Sequence, residues 1–319
     1  MSDVLLLVQK CAHTFSFYDL ASGHALQHLV LPNFPHEFCV DPARQRAYVG
    51  IFGIETAWTR GDEGDTRIAE IDLTERRLLR LLDLWPYRRP HGMACDAAGR
   101  LYAMSEAQDT LLVFDRPREQ DVPHLAVPSG GIKTHLVTLD AQAETAYGIH
   151  LLSNTVTRFH PRDATVAPRA VMPGPRPEGN ALSRDERTLF VANRGDDTLV
   201  AIDTATLAVG RRVKTRRDPN RIYRRDLPDG RAQLLLTNSG EQSLSVFDAD
   251  TLEEVHCLAL PASPTALSFH PTRPLAYVSF QDDVVRELDL QRWQFVRQIR
   301  TLREPDASFV LSGPAAAGD

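Results

Sequence analysis

The sequence predicts an all-β fold: a seven-bladed β-propeller of four-stranded blades, whose ring is closed by the C-terminal strand joining the N-terminal blade. Three observations lead to this prediction. Pairs of short β-rich runs recur along the 319 residues, their period is about 43 residues, and the incomplete units at the two ends complement each other.

Each repeat unit contains two apolar runs separated by a polar turn, with a third run before the pair and a fourth after it. The clearest copies are residues 188–193 with 198–203, 275–280 with 284–289, 101–104 with 111–115, 146–149 with 156–160, 234–238 with 244–248, and 47–50 with 68–72. Four short strands per unit is the pattern of propeller blades. One interval is longer because residues 53–64 are inserted within the first complete blade.

The two ends of the chain complete the count of blades. Residues 4–8, 14–20 and 25–31 provide three strands with no first strand before them, whereas residues 305–312 provide a first strand with no second. Joined, they form a seventh blade and leave no exposed sheet edge at the seam. We therefore predict one domain over residues 1–312, followed by a disordered tail at 313–319.

Composition narrows the range of partners and locations. The formal net charge of −6 argues against nucleic acid, which requires a basic surface, and no apolar run is long enough for a membrane helix. Four cysteines lie far apart without a CxxC pair, which is typical of a reducing compartment. We predict a cytoplasmic protein with no nucleic-acid or membrane partner, and we expect Cys39 and Cys95 to be core residues.

One position of the repeat carries an unusual set of polar residues. It lies at the entrance to the first strand of each blade, directly after a proline in six of the seven blades, and it reads His36, His91, His135, Glu178, Asn220, Thr265 and Asp306. Equivalent positions of a propeller converge at the mouth of the central pore, where functional groups commonly lie. We therefore expect these side chains to be neighbours.

Three histidines and a carboxylate at one level are a common set of metal ligands. The sequence predicts that His36, His91 and His135 bind a divalent ion, with Glu178 as a fourth ligand or general base. Zn, Fe, Mn and Cu all suit this set. We assign further catalytic roles to Asp306 and to His150, which ends a second strand.

A second feature suggests a small anionic substrate. The turns leading into the first strands are rich in basic residues, namely Arg88, Arg89, Lys133, Arg176, Arg216, Arg217 and Arg303. Such a ring attracts anions to the pore mouth. We predict that Arg89, Lys133, Arg217 and Asn220 bind substrate, and that the insertion covers the pocket with Glu55 and Trp58.

The repeat also resembles a known family. Residues 189–206 read LFVANRGDDTLVAIDTAT and are similar to YVTN-type repeats, and the whole chain resembles the lactonase-like seven-bladed propellers. The segment Pro90-His91-Gly92 is similar to repeats of streptogramin-lyase-like propellers. The resemblance implies the fold and, among activities, lactone hydrolysis, although propellers of this kind also include lyases, electron-transfer partners and binding modules.

The combined prediction is a metal-dependent enzyme acting on a small anionic substrate at the pore mouth. Hydrolysis of a lactone or ester is the first reaction type, and lyase or isomerase chemistry at a carbonyl is the second. Two alternatives remain open: a propeller that binds a ligand or protein without turnover, and a metal-free lactonase in which a histidine is the general base.

Overall fold

The computed structural model describes residues 2–56, 61 and 63–312. These residues form seven four-stranded antiparallel sheets in a ring, which confirms the predicted all-β propeller. Trp58 and the predicted tail at 313–319 lie outside the described residues. Within the part of the chain that is described, no helix is long and apolar enough to span a membrane.

Four concentric layers of strands make up the ring. The innermost strand of each blade begins at the pore: β4 (Pro35–Val40), β8 (Pro90–Cys95), β12 (Thr134–Leu139), β16 (Pro177–Leu182), β20 (Pro219–Asp226), β24 (Pro264–Phe269) and β28 (Pro305–Leu311). The second strands are β1 (Val4–Gln9), β5 (Arg46–Ile51), β9 (Leu101–Ser105), β13 (Ala146–His150), β17 (Thr188–Asn193), β21 (Ala232–Asn238) and β25 (Leu275–Phe280).

The third strands pack outside the second: β2 (Thr14–Asp19), β6 (Arg67–Asp72), β10 (Thr110–Phe114), β14 (Thr155–Phe159), β18 (Thr198–Asp203), β22 (Ser243–Asp248) and β26 (Val284–Asp289). The outermost strands are β3 (Ala25–Val30), β7 (Arg77–Asp83), β11 (Leu125–Pro128), β15 (Arg169–Val171), β19 (Val209–Lys214), β23 (Glu254–Ala259) and β27 (Gln294–Arg300). A short 3₁₀ helix, Lys10–Ala12, connects β1 to β2.

The ring closes as predicted. The seventh blade has the order β28-β1-β2-β3, and Leu5 of β1 pairs antiparallel with Val310 of β28. We number the other blades 1 to 6 from β4–β7 to β24–β27. Because β28 pairs with β1, the inner edge of β1 is not left unpaired at the seam.

Apolar side chains fill the spaces between neighbouring blades. One cluster joins Val8 and Phe15 of the seventh blade to Val49 and Ile71 of blade 1, and equivalent clusters recur around the ring. Burial of a side chain of this size stabilises the fold by roughly 1.5–3 kcal/mol. The packing is therefore what holds the seven blades in a fixed rotation about the pore.

The entrance to each innermost strand has the same irregular backbone. Pairing with the second strand shifts register within the first residues of every innermost strand, which places the predicted convergent position in a β-bulge in all seven blades. In six blades the residue just before the strand is left-handed, with φ between 51° and 60°: Phe34, Arg89, Lys133, Arg176, Asp218 and Glu304. Non-glycine residues adopt this conformation rarely, although in this chain it also occurs in turns such as those of Arg44 and Arg76.

A repeated hydrogen bond stabilises this strained entrance. The residue that follows each second strand donates its backbone N–H to the carbonyl of the residue that precedes the innermost strand. Two of these seven pairs are Lys10 with Glu304, at 2.9 Å, and Gln281 with Ser263, at 3.0 Å. The same bond brings two loops of each blade together at the pore mouth, and both loops therefore contribute side chains there.

Candidate functional site

A cavity of about 390 Å³ lies at the pore mouth and is built from two rings of equivalent residues. The first ring contains the predicted convergent positions: His36, His135, Glu178, Asn220, Thr265 and Asp306 line the cavity. The second ring contains the residue after each second strand: Lys10, Phe52, Glu106, Leu151, Arg194, Ser239 and Gln281. The repeat therefore supplies two side chains per blade to one pocket, with one exception.

The exception is His91, which is fully buried between the other two histidines of the first ring. Its ring centre lies 4.5 Å from that of His36, with the rings nearly perpendicular, and 3.8 Å from that of His135, with the rings tilted by 32°. The three imidazoles expected to converge do form one contiguous cluster. They come from blades 1, 2 and 3 in order.

Neither ring nitrogen of His91 forms a well-aligned hydrogen bond with any residue that the structure describes, although the ring contacts the His135 backbone. Burial, and then the neighbouring His135, His36 and Arg221, lower the pKa of His91 well below its ordinary value, and the His135 backbone opposes this only weakly. A neutral imidazole with an unsatisfied buried nitrogen is costly, by roughly 1–3 kcal/mol. It is also the form of histidine that binds metals.

The two flanking histidines each face a carboxylate through Nδ1. His135 Nδ1 is hydrogen-bonded to Glu106 Oε2 at 2.7 Å, and Glu106 is buried. His36 Nδ1 lies 2.8 Å from Asp306 Oδ2, a close contact with poor hydrogen-bond alignment. A carboxylate at one nitrogen fixes the orientation of an imidazole and directs the other nitrogen to a metal or substrate.

Neighbouring groups lower the pKa of two carboxyls of this cluster. Burial alone would raise the pKa of Asp306, but His36, Lys10 and Arg221 lower it to about 2. Burial likewise opposes ionisation of Glu178, yet His135 and Arg194 lower its pKa.

Arg194 bridges two blades on one side of the cavity. Its guanidinium lies 2.7 Å from Glu178 Oε2 and 2.6 Å from Asp218 Oδ1. Glu178 Oε1 is also 3.8 Å from His135 Nε2, so the carboxylate stands between an arginine and a histidine. Because a cation already occupies one of its oxygens, Glu178 is better placed to orient the neighbouring imidazole than to bind a metal or to accept a proton.

An ion pair forms the floor of the cavity. Arg221 reaches across the pore from blade 5 to Glu37 of blade 1, with Nη2 and Oε1 2.8 Å apart. Arg221 lines the upper cavity and also a second one of about 260 Å³ lower in the pore, which Glu37 lines as well. The pair therefore separates the site from the rest of the channel.

The balance of charge in the upper cavity is acidic. Among the described residues that line it are six carboxylates, Glu55, Glu106, Glu178, Asp218, Glu304 and Asp306, and four cations, Lys10, Lys133, Arg194 and Arg221. With neutral histidines the lining therefore carries an excess of two negative charges. A divalent cation would offset this excess, and an anion on its own would be repelled.

The distances between the imidazole rings indicate which of these residues can bind the same metal ion. Two imidazoles bound to one ion at about 2.0–2.1 Å have ring centres about 4.5–5.5 Å apart, which matches His36 and His91. The 3.8 Å separation of His91 and His135 is too short for both to bind the same ion as placed. His36, Glu37 and His91 each offer a ligand atom within 4.8 Å of the others.

The structure brings together some of the predicted substrate-binding residues. Lys133 and Asn220 line the cavity, as does Glu55 of the insertion. Arg89 instead lies buried behind Glu106, with Nη1 3.6 Å from Oε1, and donates from Nε to the Glu63 carbonyl. Arg89 therefore supports the cavity wall.

Two other predicted residues lie away from the cavity. Arg217 is exposed and donates to the carbonyl of Gly240. His150 is buried in the wall, where Thr134 and Thr157 contact its two ring nitrogens at 2.8 Å each. It occupies the same place at the end of a second strand as Asn193 and Asn238, whose amides also bond to the third strand. This geometry gives His150 a structural position and offers no support for a catalytic role.

Five residues of the site were not anticipated: Lys10, Glu106, Arg194, Glu37 and Arg221. The first three belong to the second ring, and aligning the residue after each second strand would have revealed them. Arg221 directly follows Asn220, and alternation along a strand would place it on the opposite face. The β-bulge in β20 changes that alternation, and no sequence signal marks the bulge.

Comparison with known proteins supports the fold and leaves the family open. No protein-family model matches the chain, and no curated protein sequence is significantly similar to it. A protein of unknown function from Desulfotomaculum acetoxidans has a similar structure, with a TM-score of 0.78 at 12% identity over 98% of this chain and 99% of that one.

Two characterised structures are similar as well. The periplasmic gluconolactonase PpgL of Pseudomonas aeruginosa has a TM-score of 0.75 at 14% identity, over 98% of this chain and all of that one. The dihydro-heme d1 dehydrogenase NirN has a TM-score of 0.69 at 12% identity, over 96% of this chain and 74% of that one. At these identities the likeness concerns the fold alone. The chain is thus a seven-bladed β-propeller of the architecture found in the lactonase PpgL and in NirN.

Proposed function

We propose that this protein is a metal-dependent hydrolase that opens a small lactone or ester at the pore mouth. The observation that carries the proposal is His91, a neutral and fully buried imidazole without a well-aligned hydrogen-bond partner among the described residues, nearly perpendicular to His36 at 4.5 Å. A divalent ion held by His36 and His91 would satisfy that nitrogen and offset the acidic lining. Glu37 offers a further oxygen within reach, although it already pairs with Arg221.

His135 takes the role of general base in this proposal. Its Nδ1 is occupied by Glu106, so its Nε2 is the nitrogen available on the side of Glu178 and the cavity. It would accept a proton from water as the water oxygen bonds to the substrate carbonyl carbon, and return it to the leaving alkoxide. Glu106 would hold the ring and stabilise the imidazolium.

We propose that the substrate is a small anion, as the basic turns in the sequence suggest, and that it binds while the metal is present. A bound ion would supply Lewis acidity to the carbonyl oxygen. With the negative excess of the lining offset, Lys133 would attract an anionic group of the substrate. The structural likeness to a gluconolactonase is compatible with this substrate class and shows no more than the fold.

The test combines metal analysis with turnover. Purified protein, as isolated and after loading with Zn²⁺ or Mn²⁺, is assayed for metal content and for hydrolysis of δ-lactones with and without a carboxylate. We expect about one equivalent of metal and turnover that is lost in excess chelator. His91→Phe should lose both while remaining folded, because it removes an unsatisfied polar group from the core. His135→Asn should keep the metal and lose at least about 100-fold in kcat.

The hydrogen bond between His135 and Glu106 also supports a second candidate, a metal-free lactonase. A general base oriented by a buried carboxylate is complete without a metal. Turnover that persists in chelator and is lost in His135→Asn would establish that alternative. Protein that cannot be loaded with metal and shows no turnover would indicate a propeller that binds without catalysis.

A further inference from the structure

Two cysteines from adjacent blades lie in contact below the candidate site. The Sγ atoms of Cys39, on β4, and Cys95, on β8, are 2.9 Å apart although the residues are 56 positions apart in sequence. The other two cysteines are remote from this pair: Cys11 is hydrogen-bonded to Glu304, and Cys257 is exposed on β23. This is a specific pairing of two among four thiols.

The surroundings of the pair are compatible with chemistry at sulfur. Both cysteines are partly buried and pack, together with Met93, against the hydrophobic core cluster that contains Tyr48. A disulfide has an S–S length of about 2.03–2.05 Å, so the two sulfurs need to approach by less than about 1 Å. The apolar setting raises the pKa of the Cys39 thiol well above its ordinary value, which slows its attack on an oxidant.

We propose that Cys39 and Cys95 form a reversible disulfide that links blades 1 and 2. The oxidant is a small organic disulfide such as oxidised glutathione. One cysteine thiolate attacks it and releases one glutathione thiolate, and the second cysteine then attacks the mixed disulfide and releases the other. Two thiol protons and two electrons pass to glutathione, and one S–S bond is broken as another forms.

The cross-link would join the two strands that carry His36 and His91. Cys39 lies three residues after His36 on β4, and Cys95 lies four residues after His91 on β8. Closing a loop of this length restricts the unfolded chain more than the folded one, so the oxidised protein is more stable than the reduced protein. The proposal stands on the thiol pair and does not depend on metal binding or hydrolysis.

The experiment compares full-length protein equilibrated with reduced or oxidised glutathione. Oxidation should remove two thiols and lower the mass by about 2 Da without a glutathione adduct, and peptide mapping should recover a peptide that joins Cys39 to Cys95. The Tm should rise by about 5 °C or more. Cys257→Ser is the matched control, and it should retain the cross-link.

The proposal fails if oxidised protein carries separate glutathione adducts on the two cysteines, or if both remain free thiols across the range of redox buffers. Cys39→Ser should convert Cys95 to a glutathione adduct or a free thiol and abolish the rise in Tm. Should that variant not fold, the mass and peptide map of the wild-type protein decide the question alone.

Discussion

The contrast between His91 and His150 shows how neighbours decide the role of a buried histidine. Both are inaccessible to solvent, and burial lowers the pKa of each. Two threonine hydroxyls occupy the nitrogens of His150, whereas those of His91 meet other imidazoles. The sequence placed both near the pore but could not distinguish them, because the difference depends on which side chains the neighbouring strands bring to the ring nitrogens.

The depressed pKa of His150 predicts a pH-dependent stability. Burial lowers this pKa to about 4 from 6.5, so below pH 6.5 the unfolded chain binds a proton that the folded protein does not. The free energy of unfolding should therefore decrease as the pH is lowered. His150 should account for about 2 kcal/mol of the stability lost between pH 7 and pH 5. Denaturant unfolding at pH 7 and at pH 5 measures the loss of stability. In His150→Gln the loss should be smaller by about 2 kcal/mol.

Exposed His24 provides the matched control, and His24→Gln should lose as much stability as the wild type between the two pH values. An undiminished pH dependence in His150→Gln would show that His150 is protonated in the folded state near its ordinary pKa.

At the level of elements, the site is a consequence of one strand entrance repeated seven times. The bulge at the start of each innermost strand and the hydrogen bond from the end of the second strand place two side chains per blade at the pore mouth. The proline pattern was enough to predict the first of these rings. The second ring was missed because the turns that carry it differ in polarity from blade to blade, from Lys10 to Leu151.

The closing strand β28 has a predicted effect on stability that can be measured by truncation. Stopping the chain after Glu304 removes β28, leaves the edge of β1 unpaired and deletes Asp306, the partner of His36. We expect aggregation or a Tm lower by about 10 °C or more. Calorimetry of this variant is compared with a chain stopped after Ser312, which keeps all of β28.

The chain stopped after Ser312 should unfold like the full-length protein. A chain stopped after Glu304 that unfolds cooperatively within about 3 °C of the wild type would contradict the role assigned to ring closure.

At the level of the whole molecule, the ring brings together residues separated by nearly the full length of the chain. Glu106 contacts His135 within two neighbouring blades, whereas His36 meets Asp306 across the seam between the last strand and blade 1. Repeat period and incomplete ends were enough to predict this architecture, because both are properties of the sequence alone. Charge pairing in the pocket was not predictable, since it depends on the cross-pore distance that Arg221 spans.

The most direct test of the account is the position of a bound metal. Crystals of the wild-type protein grown with Zn²⁺ and measured at the zinc absorption edge should show an anomalous peak within about 2.0–2.2 Å of ring nitrogens of both His36 and His91. Zinc bound only elsewhere, for example between Cys11 and Glu304, or His91 without a metal in fully loaded protein, would contradict the account.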